Sequence, residues 1–458
     1  MDKVGILVVS KSLSAAAIID TFSRSDKYSP QFFVAEKQVN PANFKAATEH
    51  VVIQDLDVAQ VAKFASKNKR RIDFGLTDTE DFVTAGGRDL VEKETKVPMV
   101  CVTKKFAVEA SKADQRLLFD EICPEANPRY AVFDPKAQAE PAAVSRFKRF
   151  LDEIESGVAI KPDAPARGAG VGVSGSDFGT EEEAVEFFKN VFSKGRVVVE
   201  ERLEGEESSF HAFSDGKHFV PAPLTRDYKR ALDGNKGRLT GGMGSYRGKS
   251  DVLPFLSLSD WEAAVDLETR AFERWKGKGS DPGLRGIILY DALMHTKDGF
   301  KILERNSRGG NTEQICILTT MVDDYVDVCF RMVQGNLKGI RFSNKASVVT
   351  CAVPLSYGTG GPAAEPVAVD LSRAIALSKR SKGSVRVFPM DLRLEGGRTI
   401  MGTSRSVAVA GLGGSISEAH AESVAGVRAL SGPFRYRKDV GSNADVERSR
   451  RHLRKLRA

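Results

Sequence analysis

Two segments carry side chains of the kind that handle phosphate and a hard cation. In KILERNSRGGNTEQ, from Lys301 to Gln314, strand alternation puts Glu304 and Asn306 on one face, with Arg308 two residues further. A carboxylate and an amide oxygen side by side suit Mg2+, which takes hard oxygen ligands and keeps bonds to substrate phosphates. Asp291, in the neighbouring strand LYDALM, is placed as an outer ligand, and Arg308 as a fork for an acyl phosphate or a leaving phosphate. Taken alone, the segment reads equally well as a surface strand edge with charged ends. The second segment begins with Lys161, which ends the strand VAIKP where an ammonium group can reach nucleotide phosphate oxygens. The loop after it, Arg167 to Gly172, has glycines at Gly168, Gly170 and Gly172, as a flap over phosphates needs. No GK[ST] follows, so this is not a Walker loop, and the spacing is not that of a dinucleotide fingerprint. A protein-kinase reading of VAIK fails because the glycines follow the lysine and no HRD is present.

Between these segments lies a block from Val197 to Tyr246 that gathers acids, bases and glycines. VVVEERL is a β-branched run ending at Glu200 and Glu201, a strand that delivers carboxylates able to accept from ribose hydroxyls, beside backbone that can read an adenine edge. Ser208 to Phe213 and Lys217 to Ala222 form a hairpin across a Ser-Asp-Gly-Lys turn. Arg226, Asp227, Lys229 and Arg230 follow, then Thr240, Gly241, Gly242, Met243 and Gly244, where backbone N–H groups can approach an anion. A charge run alone is usually a solvated hairpin and loop; strand, acids and glycine loop together point to a nucleotide site.

The elements that hold these residues follow from periodicity. The first hundred residues alternate apolar strands with amphipathic helices, which predicts an open parallel sheet with helices on both faces. A Pro/Ala-rich stretch from Cys123 to Val144 reads as a connection, and the strand, glycine loop, strand and acidic helix that follow it predict a compact lid. The glycines near Gly168 to Gly175 suit closure of that lid over a nucleotide. Beyond Ser343, short strands and one helix predict a small mixed sheet with an α component. The expected division is an N-terminal domain over 1–103, a nucleotide-binding domain over 104–342 with a lid at about 124–195, a C-terminal domain over 343–441, and a basic tail over 442–458.

At 458 residues the chain exceeds one ordinary core, and 41% hydrophobic with 28% charged residues is a soluble globular composition. No apolar run approaches the roughly 18 residues of a membrane helix, and MDKVGILVVS reads as a first strand rather than a signal peptide; a cytoplasmic protein without membrane partners is expected. The five cysteines lack metal-ligand spacing and read as buried small hydrophobes. Of the formal charge of +7, the tail supplies +4, from six Lys/Arg against two acids, so no nucleic-acid surface is expected outside it. The tail itself reads as a frayed or weakly helical end.

In this order, the lysine strand, glycine flap, acid-ended strand, RDYKR, TGGMGSY and ERNSR resemble the ATP-grasp ligases. EASKADQRLLF, DGNKGRLTGGMGSY, LERNSRGGNTEQ, GLGGSISEAHAESVAG and PFRYRKDVG extend the resemblance nearly end to end to the phosphoribosylamine–glycine ligase family. The resemblance implies an α/β fold: an ATP-grasp domain between an N-terminal open parallel domain and a C-terminal mixed-sheet α+β domain. It implies ATP and Mg2+ or Mn2+ as cofactors, glycine and phosphoribosylamine as substrates, and a monomer or homodimer. Residue by residue, it assigns Lys112, Lys161, Gly168 and Gly170 to ATP, Glu200, Glu201 and Leu203 to adenine, Glu207 to ribose, and Glu304 and Asn306 to the metal. Asp227, Lys229, Arg308 and Glu313 fall at the reacting end, with Glu80, Thr240, Gly241 and Gly242 also on the substrate side. The chain departs from the family pattern in four places. Ser10 to Ser14 replaces GNGGRE, Asp78-Thr79-Glu80 replaces GPE, Ala169 replaces the flap lysine, and Gly309 to Glu313 replaces FGDPE. Most of these touch the substrate end, so a different carboxylate–amine pair, or a nucleotide-binding regulator without turnover, stays open at this point.

Overall fold

Strands β1 (Asp2–Ser10), β2 (Tyr28–Glu36), β3 (Ala47–Val52), β4 (Phe74–Thr77) and β5 (Met99–Val100) pair in parallel in the order β3-β2-β1-β4-β5. β1 and β4 are β-branched or aromatic runs buried along nearly their whole length, as a sheet covered on both faces requires. The strand order reverses between β1 and β4, which opens a crevice at their carboxyl ends. Ser10, Ser14 and the turn Asp78-Thr79-Glu80 stand at that crevice: Ser14 Oγ and N–H both donate to the Asp78 carboxylate, and Lys11 N–H donates to Thr79 Oγ1. The computed structural model describes residues 1–11, 14–163, 170–359 and 366–458.

A small antiparallel sheet follows, built from β6 (Tyr130–Phe133), β7 (Val158–Pro162), β8 (Gly172–Val173) and β9 (Val197–Glu201) in the order β6-β9-β7-β8. Helices Glu140–Glu153 and Glu181–Phe192 cover it, with the rings of Phe147 and Phe188 stacked at 4.5 Å. The acidic helix starts on a capping box between Thr180 and Glu183, which satisfies amide groups its first turn would leave open. The stretch from Cys123 to Val144, expected to be a connection, contains β6 and the start of a helix. YAVF is too short to show alternation against its Pro-rich flank, and pairing with β9 makes it a strand. β9 lies past the lid end expected near 195, yet all its ladder partners are in this sheet.

β10 (Glu206–Asp215) and β11 (Phe219–Pro221) form the expected hairpin. The chain then makes β12 (Arg226–Asp227), β13 (Arg230–Leu232), β14 (Lys236–Leu239) and β15 (Gly244–Arg247), followed by β16 (Arg285–Thr296) and β17 (Gly299–Asn306). β11-β10-β16-β17 is an antiparallel sheet and β13-β14 a hairpin. The C-terminal part adds β18 (Ala346–Pro354), β19 (Val385–Pro389), β20 (Leu392–Glu395), β21 (Arg398–Met401), β22 (Val407–Gly413) and β23 (Phe434–Arg435). Its main sheet runs β12-β15-β18-β22-β19, with β23 also on β18. Every pairing in this sheet is antiparallel, where a mixed sheet is expected from sequence. Parallel neighbours need a crossover between them, but β19 reaches β22 through the β20-β21 hairpin, which reverses direction instead. The sheet also takes two strands, β12 and β15, from the central block.

The basic tail differs most from expectation. Instead of fraying, it forms a helix, Asn443–Arg457, capped by Ser442, with Asp445, Ser449 and Leu453 buried. Tyr228 Oη donates to Asp445 Oδ2 at 2.6 Å, His452 Nδ1 lies 2.7 Å from Glu206 Oε1, and Arg457 pairs with Asp260. The apolar and acidic positions spaced three and four apart give the helix a face to bury, and charges on the main body supply its partners. All five cysteines are buried free thiols. Among the described residues no helix is long and apolar enough to cross a membrane.

Candidate active site

β7 and β9 lie side by side and bring Lys161 to Glu200. Lys161 Nζ donates to Glu200 Oε2 at 2.7 Å, and Arg116 Nε donates to Glu200 Oε1 at 2.8 Å. Arg116 also donates to the carbonyls of Ile302 and Leu303, tying this cluster to β17. One carboxylate thus serves two cations in the interior. Burial works to raise the Glu200 carboxyl, but the charges of Arg116 and Lys161 outweigh it and hold it below the usual range. Burial, joined by the positive charge of Arg116, lowers Lys161 in spite of Glu200. Glu200 is 1% exposed, so its carboxylate does not face a ribose as the strand reading expects; it holds Lys161 in place. Glu201, half-buried on the opposite face of β9, is engaged by the backbone, accepting from Arg129 N–H at 2.9 Å. Beyond it, among the described residues, the Leu203 amide and carbonyl have no protein partner, and this is backbone that can read a base edge. Glu207, half-buried, stands 3.2 Å from Lys229 Nζ.

Register on β17 decides the cation pair. Asn306 stands opposite Tyr290 and Glu304 opposite Ala292 on one face, while Arg305 stands opposite Asp291 on the other. Asp291 is therefore not an outer ligand beside Glu304. Arg305 Nε donates to both its oxygens at 2.9 and 3.0 Å, and Glu268 completes that buried cluster. Burial opposes the charge of Glu304, but the ammonium groups of Lys229, Lys112 and Lys161 and a hydrogen bond from Asn306 keep its carboxyl below the usual range. Among the described residues no group of three or more His, Cys, Asp and Glu forms a cation cage. A two-donor site of carboxylate and amide oxygen fits a hard divalent ion that completes its shell with phosphate oxygens and water.

The other end of the cleft is built from separate segments. β12 and its continuation carry Asp227 and Lys229, and the loop Thr240–Gly242 folds back on them: Thr240 N–H and Oγ1 both donate to the Lys229 carbonyl. Gly242 has φ +101°, and a Cβ there would lie 2.9 Å from Asp227 Oδ1, so only glycine allows this approach. Asp227 Oδ1 is buried with no hydrogen-bond partner. Burial, then the nearby Glu313, push the Asp227 carboxyl well above the usual range, although Lys229 works against them. Lys229 itself is raised, because Glu207, Glu304 and Asp227 together outweigh its burial. Glu313 curls under Gly310 and accepts from Thr312 N–H and Oγ1, both at 3.0 Å. Arg308 Nη2 donates to Glu80 Oε2 and Glu109 Oε1, both at 2.7 Å, which joins the N-terminal turn to β17's end. Burial, against the pull of Arg308, lifts the Glu109 carboxyl to about 7.

The structure therefore brings Lys112, Lys161, Lys229, Glu304 and Asn306 together, and sets Asp227, Gly242, Glu313, Arg308 and Glu80 at the other end. Gly170, at φ +76°, borders the small sheet; Gly168 and Ala169 lie outside the described residues, as do Ser12 and Leu13. Sequence reading missed Arg116, although its place four residues after Lys112 puts both on one helix face. It also missed Glu109 and Tyr290. Tyr290, stacked on His211 at 4.8 Å, faces Glu313 and Asp227, and is raised well above its usual range by burial and those acids.

Residues 126–314 match the family model of the phosphoribosylglycinamide synthetase ATP-grasp (A) domain. A phosphoribosylamine–glycine ligase of Pyrococcus furiosus is 33% identical over 93% of this chain and 92% of its own length. Among solved structures, a phosphoribosylamine–glycine ligase from Thermotoga maritima superposes with a TM-score of 0.73 at 21% identity, covering 95% of this chain and 100% of that one. The biotin carboxylase domain of a Hydrogenobacter thermophilus 2-oxoglutarate carboxylase, solved with MgADP, ADP and bicarbonate, gives a TM-score of 0.66 at 14% identity, over 94% and 91% of the two chains.

Proposed function

The chain belongs to the phosphoribosylamine–glycine ligase family of ATP-grasp enzymes, and from that premise we propose how its cleft joins glycine to phosphoribosylamine at the expense of ATP. The reaction transfers the γ-phosphoryl group of ATP to a glycine carboxylate oxygen. The amine of phosphoribosylamine then attacks the glycyl carbonyl, phosphate leaves, and the amide of glycinamide ribonucleotide forms with release of the amine proton. Splitting the condensation in this way replaces a poor leaving group by phosphate, and leaves the protein mainly positioning and charge neutralisation to do.

The observation that carries this reading is the convergence of Lys229, Lys112 and Lys161 on Glu304, with Asn306 beside it. Three cations around one acid can neutralise a polyphosphate without losing the carboxylate that a divalent ion needs. ATP use and a divalent ion follow from the family; we assign the ion to Glu304 and Asn306, as Mg2+ or Mn2+. When bound, it would screen charge on the phosphate oxygens. The remaining roles belong to side chains of this chain. Lys161, steadied by Glu200, donates to phosphate oxygens, and the Glu201–Leu203 backbone holds adenine, with Glu207 near the ribose. The unpartnered Asp227 Oδ1 accepts from the glycine ammonium group, with Glu313 beside it. Arg308 orients the acyl phosphate, and Glu80 and Glu109 hold its guanidinium in the plane of the cleft. Gly241 and Gly242 let backbone approach the reacting carboxylate.

A phosphate-release assay with ATP, glycine and phosphoribosylamine tests the assignment. Turnover that requires both co-substrates supports it. Release with another amine or carboxylate, but not this pair, overturns the substrate identity, and ATP binding without turnover on any pair marks a regulator instead.

A further inference from the structure

Most buried guanidinium groups in this molecule have a counter-charge, even where single nitrogens such as Arg226 Nε and Arg305 Nη1 lack a hydrogen bond. Among the described residues seven arginines are buried, and five of them face a carboxylate: Arg88 with Glu92, Arg116 with Glu200, Arg226 with Glu206, Arg305 with Asp291 and Arg437 with Asp439. A sixth, Arg247, is ringed by the neutral oxygens of Gly248, Thr320, Ser250 and Ser343. The seventh, Arg405, is 4% exposed and, among the described residues, donates from its guanidinium only to the Gly241 carbonyl; its Nε has no partner. A cation taken out of water without a counter-charge is costly, and its presence calls for an anion that arrives.

Its position says which anion. Arg405 sits against the substrate loop: a Cβ on Gly241 would lie 2.9 Å from Arg405 Nη2, and Gly241 N–H donates to Tyr357 Oη at 3.3 Å. Its main chain is tied to the carboxyl edge of the parallel sheet. The Arg405 carbonyl accepts from Asp391 N–H at 2.8 Å, while the Asp391 carboxylate accepts from Gln38, on the loop after β2, and from Ser404 N–H. That acid is thereby engaged elsewhere and is not an ion-pair partner of the guanidinium. Arg405 therefore stands between the Thr240–Gly242 loop, which carries the substrate end of the cleft, and the loops at the carboxyl edge of the parallel sheet.

We propose that Arg405 is a substrate-binding residue that receives the phosphate monoester of the amine substrate, with its grip on Gly241 coupling that phosphate to the shape of the substrate loop. This rests on the ligase reading given above. A planar fork with free N–H groups matches a phosphate better than a point charge does. Occupation of the fork also fixes the Gly241 carbonyl, so binding of the phosphate orders the loop that faces Asp227.

Calorimetry with ribose 5-phosphate as the probe tests it. Arg405→Gln is expected to weaken ribose 5-phosphate binding by about tenfold or more, the worth of a charge-assisted fork, while ADP binding stays unchanged; Arg405→Lys restores part of the loss. Loss of ADP affinity, or of inorganic phosphate held alongside ADP, with ribose 5-phosphate unaffected overturns the proposal. Should Arg405→Gln fail to fold, hydrogen exchange on the wild-type protein decides. Ribose 5-phosphate should slow exchange across Gly241–Gly244, and unchanged exchange there overturns the proposal. The ligase reading fails separately: a wild-type protein that binds ribose 5-phosphate through Arg405 but consumes no phosphoribosylamine sinks that reading and leaves the anion site standing. Active enzyme whose KM for phosphoribosylamine is unmoved in Arg405→Gln does the opposite.

Discussion

The two ends of the cleft are built on opposite electrostatic plans. At the nucleotide end every buried acid has a cation: Glu200 is shared by Arg116 and Lys161, and Glu304 is faced by Lys229, Lys112 and Lys161. At the substrate end acids crowd one another. Asp227 and Glu313 stand together with Tyr290, and Glu80 and Glu109 share the single guanidinium of Arg308. The first arrangement is stable before any ligand arrives and offers surplus positive charge to phosphates. The second leaves the carboxylates of Asp227 and Glu313 crowding each other in spite of Lys229, and is relieved when a substrate ammonium group enters. The cleft thus presents cations where phosphate must go and bare carboxylate where an amine must go.

The largest effect should come from breaking the paired end. Glu304→Ala is expected to cut phosphate release by about 10³-fold or more, since it removes a metal ligand and leaves three lysines around a neutral position. Activity near that of the wild type would refute the cation assignment. Next, Glu200→Gln leaves Arg116 and Lys161 sharing an uncharged partner in the interior, and urea unfolding should show a loss of about 3–5 kcal/mol. A loss no larger than that of an exposed pair would mean that Glu200 is not the keystone of this cluster. The crowded end should respond differently. Asp227→Asn should raise the KM for glycine about 10- to 100-fold, the worth of a charged hydrogen bond, with little change in ATP affinity. Equal damage to ATP binding would erase the distinction between the ends. The smallest effect concerns Glu109. Its carboxyl is raised by burial from the usual 4.5 to about 7, so the folded state holds a proton that the unfolded chain has released. That stabilisation is full below about 4.5 and is lost as pH rises to about 7. Wild-type stability should therefore fall across this window relative to Glu109→Gln, whose profile should be flatter; parallel profiles would remove Glu109 from the crowded set.

The difference between the ends also governs what can be read from the chain alone. β7 and β9 announce themselves as β-branched runs with charged ends and β17 as a strand ending in Glu304, Arg305 and Asn306, and Lys161, Glu304 and Asn306 sit at fixed places on them. Local alternation suffices to put Glu304 and Asn306 on one face. It does not say what stands across the sheet, and Asp291 was misplaced for that reason: its face is set by the register of β16 on β17. The substrate end is assembled from segments that only the tertiary fold brings together. Arg405 meets Gly241 from 164 residues away, and Glu80 reaches Arg308 from 228. No spacing rule spans such distances. The tail went unrecognised as a docked helix because its sequence is mostly charge, and its partners, Glu206, Tyr228 and Asp260, lie far back in the chain.

The pairing of β15 with β18, in which Gly244 meets Thr350, has a consequence for how the protein is made. Strands roughly a hundred residues apart in sequence must find each other before the Asp227 strand has its proper support, and such non-local pairing is slow. During synthesis from the N-terminus, β15 emerges long before β18 and waits with an open hydrogen-bonding edge. A fragment ending at the apparent domain boundary near residue 343 keeps that edge permanently, and exposed edges recruit other chains. Pairing with β18 therefore also closes the edge of β15, and the ligase cleft completes itself only once that strand has arrived.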